Sequence, residues 1–324
     1  MGEPLIDIRN LTVDFDTGHR IVRALYGIDL AIQGGEAVGL VGESGSGKSV
    51  TWLAALGLLG RRACIHGEVL FEGRNLVDAT AGELEAVRGA RIAMIFQDPS
   101  SSLNPVYRVG QQLAEALRLH RGMTGAAALA EAGRLLDRVG IADAVRRLRD
   151  YPHELSGGMN QRVMIAMALA GQPQILIADE PTTALDATIQ AQILELLQEI
   201  RRDSSMALVP ISHDLGVVAE NTDRVCVMYA GRIVEDAPIA TIFEAPAHPY
   251  TSGLLAALPE LEGPRRRLVA IPGVVPEPWN LPPGCSFAPR CAEVEAACAV
   301  AVPPAIELLS GQRAACIHAR RGVV

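Results

Sequence analysis

The chain has 324 residues, enough for one large domain with an appendage or for two domains, and its composition (49% hydrophobic, 4% aromatic) favours a globular core of Ala, Leu, Ile and Val. The net charge of −8 argues against a general affinity for nucleic acid, and no run of about 18 apolar residues is present that could span a bilayer. The N-terminal residues lack the charged and apolar regions of a signal peptide, so we expect a cytoplasmic protein that meets a membrane only through partners.

The chain begins with loosely alternating apolar residues at 5–13 and 21–32, and Gly67–Phe71 forms another short strand-like segment. Alternation of apolar and polar residues indicates half-buried strands. These segments predict a small antiparallel layer.

Between these segments, Gly42–Ser49 fits the P-loop pattern G-x-x-x-x-G-K-[ST], preceded by an apolar run and followed by an apolar helical stretch. Glycines let backbone N–H groups turn toward an anion, and the helix N-terminus adds partial positive charge. Lys48 is expected to reach the β- and γ-phosphates and Ser49 to hold Mg²⁺ through its hydroxyl. Lys48 is also the only lysine among the 29 Lys and Arg residues. The predicted nucleotide-binding residues are Gly42, Glu43, Ser44, Gly45, Ser46, Gly47, Lys48, Ser49 and Val50.

Continuous apolar runs further along predict parallel strands buried on both faces. They are Ile92–Phe96, Ile175–Ala178, Ala207–Ile211 and Val225–Met228. Helical patterns lie between them, notably Ile189–Arg202. The predicted fold class is therefore α/β, a P-loop NTPase core whose mixed sheet carries an antiparallel β layer.

Two segments depart from this alternation. Residues from about 98 to 170 contain a loop and helical patterns at Val109–His120 and Ala126–Val139, which predict an inserted helical subdomain. After Val234 proline becomes frequent, so we predict a nucleotide-binding domain over 1–235 and a loop-rich C-terminal appendage over 236–324.

Two acids end the strand that starts at Ile175. A carboxylate at the carboxyl end of a buried strand suits a Mg²⁺ ligand, which predicts that role for Asp179. The neighbouring Glu180 can orient and deprotonate the attacking water.

A second anion-binding site is predicted at Leu155–Gln161. Ser156 is a good N-cap for the helix that follows, and two glycines expose N–H groups at its start. An ordinary capped helix would show the same local pattern.

The P-loop, the segment Leu155–Gln161 and the acidic strand end at Asp179 occur in the order, and at about the spacing, of the ATP-binding-cassette (ABC) ATPases. The chain resembles these ATPases over about residues 5–235. The resemblance implies that Gln97 senses Mg²⁺ and the attacking water, and that His213 contacts the γ-phosphate. It implies that Ser156, Gly157, Gly158 and Met159 contact ATP held by a partner subunit, although the family usually has Gln at the position of Met159. It also implies a D-loop at Ala184–Asp186 and an adenine-stacking aromatic, for which we choose Phe15 with Tyr26 as the alternative. The implied catalytic residues are Glu180, His213, Gln97 and Lys48.

Other segments resemble the ATPases of oligopeptide, dipeptide and nickel importers. They are Phe96–Pro105, His248–Pro259 and the Cys-rich tail. Read without the resemblance, His248-Pro-Tyr is a turn followed by a short helix. The resemblance implies two membrane permeases, an external binding protein and a second, related ATPase subunit on the cytoplasmic face of the membrane.

The chain has six cysteines, of which Cys64 and Cys226 are predicted to be small core residues. Cys285, Cys291, Cys298 and Cys316 crowd into the tail and could hold a 4Fe–4S cluster or Zn²⁺ or remain free thiols. The Cys-x₂₋₄-Cys pairs usual for zinc are absent, and some members of the resembled sub-family carry a 4Fe–4S cluster, which is the choice we adopt.

We therefore expect an ATP-hydrolysing subunit, with ATP and Mg²⁺, that powers import of dipeptides or oligopeptides. The alternatives are an importer of nickel or another small solute, a soluble ABC ATPase working on DNA repair or translation, and a nucleotide-binding regulatory subunit without turnover. The coiled-coil and zinc insertions or paired cassettes of the soluble ABC ATPases are not seen in this sequence, and Glu180 argues against a subunit without turnover.

Overall fold

A computed structural model of the chain describes residues 3–97, 102–181, 187–258, 270–308 and 311–319, which fall into two compact units. The first unit comprises Met1–Ile32, Ala37–Asp78 and Ser212–Val324, and the second comprises Gln33–Glu36 and Ala79–Ile211. None of the helices described is long and apolar enough to cross a membrane.

The strands, numbered along the chain, are β1 (Ile6–Asp16), β2 (Ile21–Ile32), β3 (Val38–Val41), β4 (Ala63–Phe71), β5 (Arg74–Asn75), β6 (Ile92–Ile95), β7 (Ile175–Asp179), β8 (Ala207–Ser212), β9 (Arg224–Tyr229), β10 (Arg232–Pro238), β11 (Ile306–Glu307) and β12 (Arg313–Ala314). The helices described are α1 (Lys48–Ala55), α2 (Ala81–Val87), α3 (Val109–Arg121), α4 (Gly125–Arg138), α5 (Ala144–Arg147), α6 (Gly157–Leu169), α7 (Ala187–Ser204), α8 (Leu215–Ala219), α9 (Ile239–Glu244) and α10 (Pro249–Ala256). These bounds confirm the predicted strands and helices to within a few residues.

The first unit contains the predicted antiparallel layer, with strand order β2-β1-β4-β5. Along β1 the buried residues Ile6, Ile8, Leu11 and Val13 point to the core, and the register shifts between Ile8 and Leu11. Such a bulge lets one face of the strand stay apolar although the sequence alternation is imperfect.

The same unit holds a group of strands that includes the one leading into the P-loop. β3 runs parallel to β9, β9 pairs antiparallel with β10, and β12 pairs antiparallel with both β10 and β11. All four residues of β3 are buried. Parallel and antiparallel pairing therefore occur in one layer, as expected for the predicted mixed sheet.

In the second unit, β6, β7 and β8 pair in parallel. Every residue of β7 is buried, as expected for a parallel strand covered on both faces. The helices α3 to α6 follow β6 in the chain and confirm the helical content predicted for residues 98–170.

Two cysteine predictions have different outcomes. Cys226 on β9 is fully buried, as predicted, whereas Cys64 is exposed, so its predicted core position is wrong. Cys64 lies on β4 opposite Asp14 of β1, and this pair occupies the polar face of the antiparallel layer.

The C-terminal segment, described over 234–258, 270–308 and 311–319, belongs to the first unit and packs on β9 through an aromatic cluster of Tyr229, Tyr250 and Phe287. Their ring centroids are 4.7 to 5.3 Å apart. Strand β10 continues across residue 235, where we predicted the boundary between the two domains, and that domain boundary stays a prediction.

His248 is the N-cap residue of α10, and the hydrogen bond that it makes there depends on pH. Its Nδ1 accepts a hydrogen bond from the Tyr250 N–H at 3.0 Å, which requires the neutral ring. Burial lowers the pKa of His248 from 6.5 to about 4, and Phe287 and the buried Glu235, which accepts a hydrogen bond from the His248 N–H, lie against it.

As the pH falls, His248 is protonated in the unfolded chain before it is protonated in the folded chain. The free energy of unfolding is therefore expected to fall as the pH drops from 6.5 toward 4. Between pH 7.5 and pH 5.0 we expect the free energy of unfolding to fall by about 2 kcal/mol more in the wild type than in His248→Asn, which keeps an N-cap acceptor. Urea unfolding at the two pH values measures this difference. His19→Asn, in an exposed turn, is the control, and equal losses in all three proteins would contradict the prediction.

Candidate nucleotide-binding site

The P-loop follows β3 and leads into α1 in the first unit, which is the strand–loop–helix context that the motif requires. Gly47 occupies the N-cap of α1 with φ = 103°, a left-handed conformation that glycine adopts without strain. A Cβ on Gly42 would lie 2.1 Å from the Met228 carbonyl oxygen, so only glycine fits there. The loop conformation is thus encoded at these glycines.

Lys48 is 6% exposed, and its ammonium lies within the loop. Its Nζ donates hydrogen bonds to the carbonyl oxygens of Gly42 at 2.6 Å and Glu43 at 3.1 Å. The single lysine of the chain therefore spans the loop at the position predicted for phosphate binding. Ser49 follows it in the first turn of α1.

Glu43 connects the P-loop to the C-terminal segment. Its carboxylate pairs with the buried Arg290, and its backbone N–H donates a hydrogen bond to the Tyr250 hydroxyl at 2.9 Å. The sequence patterns gave no sign of these contacts, because Tyr250 and Arg290 lie far along the chain in a segment read as a short helix and a cysteine-rich tail.

Asp179 and Glu180 lie in the second unit, at the end of β7. Asp179 is 7% exposed. Glu180 adopts a left-handed backbone with φ = 45°, and its N–H donates to the Ile211 carbonyl oxygen at 3.0 Å. Such a conformation in a non-glycine residue is uncommon and occurs often at functional sites.

Gln97 and Glu180, predicted to act on the same water, are brought together although they are 83 positions apart. The Gln97 Nε2 donates a hydrogen bond to the Glu180 Oε2 at 2.9 Å. The amide thus holds a carboxylate of the kind that can act as a general base.

The segment Ser156–Met159 starts α6 in the second unit. The Ser156 Oγ accepts a hydrogen bond from the Met159 N–H at 3.3 Å, which confirms the predicted N-cap. Ser156 and Gly157 are exposed, so their N–H and hydroxyl groups can be reached from outside the unit.

His213 and the two candidate aromatics lie in the first unit. His213 is exposed directly after β8. Phe15 lies near the end of β1 and is partly buried, whereas the Tyr26 ring is already covered by the Arg232 guanidinium at 4.7 Å from its centroid. The cover on Tyr26 favours Phe15 for adenine stacking. The predicted D-loop, Ala184–Asp186, lies outside the described residues.

Comparison with known proteins decides the family. Residues 25–183 match the ABC transporter family, and residues 234–298 match the oligopeptide/dipeptide transporter C-terminal region. Over 314 residues the chain is 51% identical to a protein of Brucella abortus (strain 2308) with the provisional name peptide import ATP-binding protein BAB2_1052, covering 97% of this chain and 94% of that protein. The chain belongs to the ABC transporter ATPase family. A similarly named relative from Brucella melitensis biotype 1 is 51% identical to this ABC ATPase over 329 residues, which cover 98% of this chain and 97% of the relative.

Solved structures with the same fold include two dimeric forms of the ATP-binding cassette MJ0796, one of them in a post-hydrolysis state bound to ADP and Pi. That form is 29% identical, has a TM-score of 0.65, and covers 72% of this chain and 98% of its own. The cbiO1 protein of Clostridium perfringens, part of the transporter complex cbiONQ, is 26% identical with a TM-score of 0.65, over 75% of this chain and 92% of that one. The ABC ATPase therefore has the predicted P-loop NTPase fold and hydrolyses ATP.

The predicted 4Fe–4S cluster is not supported. Within the ranges that the structure describes, which include Cys285, Cys291, Cys298 and Cys316, no group of three or more His, Cys, Asp or Glu side chains is placed to hold a metal ion. In the metal-free chain, burial raises the pKa of the thiols of Cys285, Cys291 and Cys316. The Cys285 N–H donates a hydrogen bond to the Cys298 carbonyl oxygen at 2.7 Å, which joins two of the cysteine-bearing turns through their backbones.

Proposed function

We propose that this ABC ATPase powers the import of dipeptides or oligopeptides across a membrane. The observation that carries the proposal is the match of residues 234–298 to the oligopeptide/dipeptide transporter C-terminal region, in a chain that is also 51% identical to proteins named for peptide import. The subunit docks on the cytoplasmic face of two membrane permeases. A second ATPase subunit, related but distinct, completes the assembly, and an external binding protein delivers the peptide.

The P-loop residues 42–50 bind the phosphates of ATP, and Phe15 stacks on the adenine. The buried Lys48 ammonium, which now bonds two loop carbonyls, turns to the β- and γ-phosphates when ATP enters. Residues Ser156 to Met159, of which Ser156 and Gly157 are exposed, contact the γ-phosphate of ATP held by the partner subunit. Half of each composite site thus comes from each subunit.

Hydrolysis depends on Glu180 as the general base for the attacking water, supported by the Gln97 amide at 2.9 Å from its carboxylate. His213, exposed after β8, contacts the γ-phosphate. The oxygen ligands that Mg²⁺ prefers are offered by the buried Asp179 carboxylate and the Ser49 hydroxyl, with the Gln97 amide oxygen as a further ligand. Bound there, Mg²⁺ would neutralise developing phosphate charge.

The test is reconstitution with the membrane partners. We expect the tagged chain to co-purify with two permeases from its own cells, and its ATPase activity in proteoliposomes to rise at least about fivefold with a peptide-loaded binding protein. The matched control is the same assembly with an unloaded binding protein.

Other outcomes would select the alternatives. Stimulation by a nickel-loaded or other solute-loaded binding protein, but by no peptide, would overturn the cargo assignment. Stimulation by nucleic acid and none by permeases would overturn the transport role as a whole.

A further inference from the structure

Residues of the C-terminal segment hold the second residue of the P-loop at two points. Arg290 donates from Nη1 to the Glu43 Oε2 at 2.5 Å and from Nη2 to Oε1 at 2.9 Å. The Tyr250 hydroxyl accepts a hydrogen bond from the Glu43 backbone N–H at 2.9 Å. We call Glu43, Tyr250 and Arg290 the P-loop clamp. Both the side chain and the backbone of Glu43 are thereby fixed from outside the loop.

The guanidinium of Arg290 is a rigid support. Its side chain is 4% exposed, its Nε donates to the Pro272 carbonyl oxygen at 2.8 Å, and Nη1 also reaches the Tyr229 hydroxyl at 3.4 Å. It lies 6.0 Å from the centroid of the Phe287 ring. A planar guanidinium held at several donors loses little freedom when it pairs bidentately with a carboxylate.

Tyr250 is equally constrained. The residue is fully buried, and its ring contacts Tyr229 and Phe287 at centroid distances of 4.7 and 5.3 Å. Burial raises the pKa of Tyr250, so its hydroxyl remains protonated. The hydroxyl oxygen that accepts the hydrogen bond from the Glu43 N–H therefore has a fixed position, and the hydroxyl stays neutral.

The clamp acts on the same peptide groups that Lys48 touches. The Lys48 Nζ bonds the carbonyl oxygens of Gly42 and Glu43, one on each side of the N–H and side chain that the clamp holds. A shift of the Glu43 peptide would therefore move both the ammonium and the neighbouring N–H groups of the loop. In a preorganised anion site, a misplacement of about 1 Å costs up to about 100-fold in binding or rate.

We propose that Arg290 and Tyr250 are positioning residues for nucleotide binding, through which the C-terminal segment sets the affinity of the P-loop for ATP. The inference rests on the P-loop being the ATP site and is independent of the cargo. It gives the region matched at 234–298, which contains both residues, a role in the ATPase cycle itself.

The test compares the buried Arg290 with the partly buried Arg224, both in the first unit, in the purified full chain. In Arg290→Met the clamp is broken. In the control, Arg224→Met, the lost guanidinium bonds Asp236 at 2.8 Å and the Ala31 carbonyl oxygen at 2.6 Å, away from the P-loop. The dissociation constant of ATP is measured by displacement of a fluorescent ATP analogue, alongside kcat and the unfolding midpoint.

We expect Arg290→Met to raise the dissociation constant of ATP about tenfold with kcat at saturating ATP within about twofold, and Arg290→Lys to recover part of the affinity. Glu43→Gln should weaken binding similarly, and adding Arg290→Met to it should cause little further loss because the pair is already broken. Arg224→Met should lower the unfolding midpoint but change ATP affinity by no more than about twofold.

An unchanged dissociation constant in Arg290→Met, or an equal change in Arg224→Met, would overturn the proposal and reduce the clamp to a structural tether. If Arg290→Met does not fold, Tyr250→Phe removes only the hydroxyl acceptor. It should still weaken ATP binding about threefold, and unaltered affinity there would overturn the proposal too. Because the readout is ATP binding by the chain alone, failure of permease stimulation would leave this result untouched.

Discussion

Replacing Glu180 with glutamine is expected to lower the rate of ATP hydrolysis by about 10³-fold, because the amide cannot take the proton of the attacking water. The change is nearly isosteric, and an amide can still accept the hydrogen bond that the Gln97 Nε2 gives at 2.9 Å. ATP affinity should therefore be unchanged. Steady-state phosphate release and an equilibrium ATP titration measure the two quantities.

Glu195→Gln provides the matched control, since this glutamate lies exposed on α7 in the same unit and should retain full activity. A Glu180→Gln rate within tenfold of the wild type would show that Glu180 is not the base.

Replacing Lys48 with methionine is expected to weaken ATP binding by at least about 100-fold, because a cation is lost opposite the polyphosphate in a buried loop. Lys48→Arg should not restore binding, since the broad guanidinium does not fit where the ammonium bonds two loop carbonyls. The measurement is ATP affinity, with thermal unfolding as the check that the loop remains folded.

The absence of any other lysine gives a second, independent measurement. Acetylation with an amine-specific reagent can modify only Lys48 and the terminal amine, and ATP should protect Lys48. Mass spectrometry distinguishes the two sites. Equal modification of Lys48 with and without ATP would contradict its place at the phosphates.

Much of the nucleotide site could be predicted from short segments of sequence. Gly42 and Gly47 are required by a close backbone approach and a left-handed turn, so the amino acid and the conformation imply one another. Ser156 caps its helix through its own N-terminal turn, and Asp179 ends a strand whose apolar run already predicts its burial. In each case the deciding interactions lie within a few residues.

The cysteine-rich tail shows the limit of such reasoning, because the predicted 4Fe–4S cluster is not supported by the structure that is described. Spacing along the chain cannot establish a ligand set, because the directions of four side chains depend on how the loops of the tail fold. Cys64 was misread for a related reason. Its apolar neighbours suggested the core, but the face of β4 on which it lies follows from the register with β1.

The fold class, the conformation of the P-loop, the acidic strand end and the family could all be predicted from short segments, because these features depend on local dihedral angles, caps and runs of buried residues. The contact of Gln97 with Glu180, the cover of Arg232 on Tyr26 and the hold of Arg290 and Tyr250 on Glu43 became visible only in the folded chain. Those contacts join residues 83 to 247 positions apart. Their partners are selected by the packing of whole elements, and no local pattern in the chain specifies that packing.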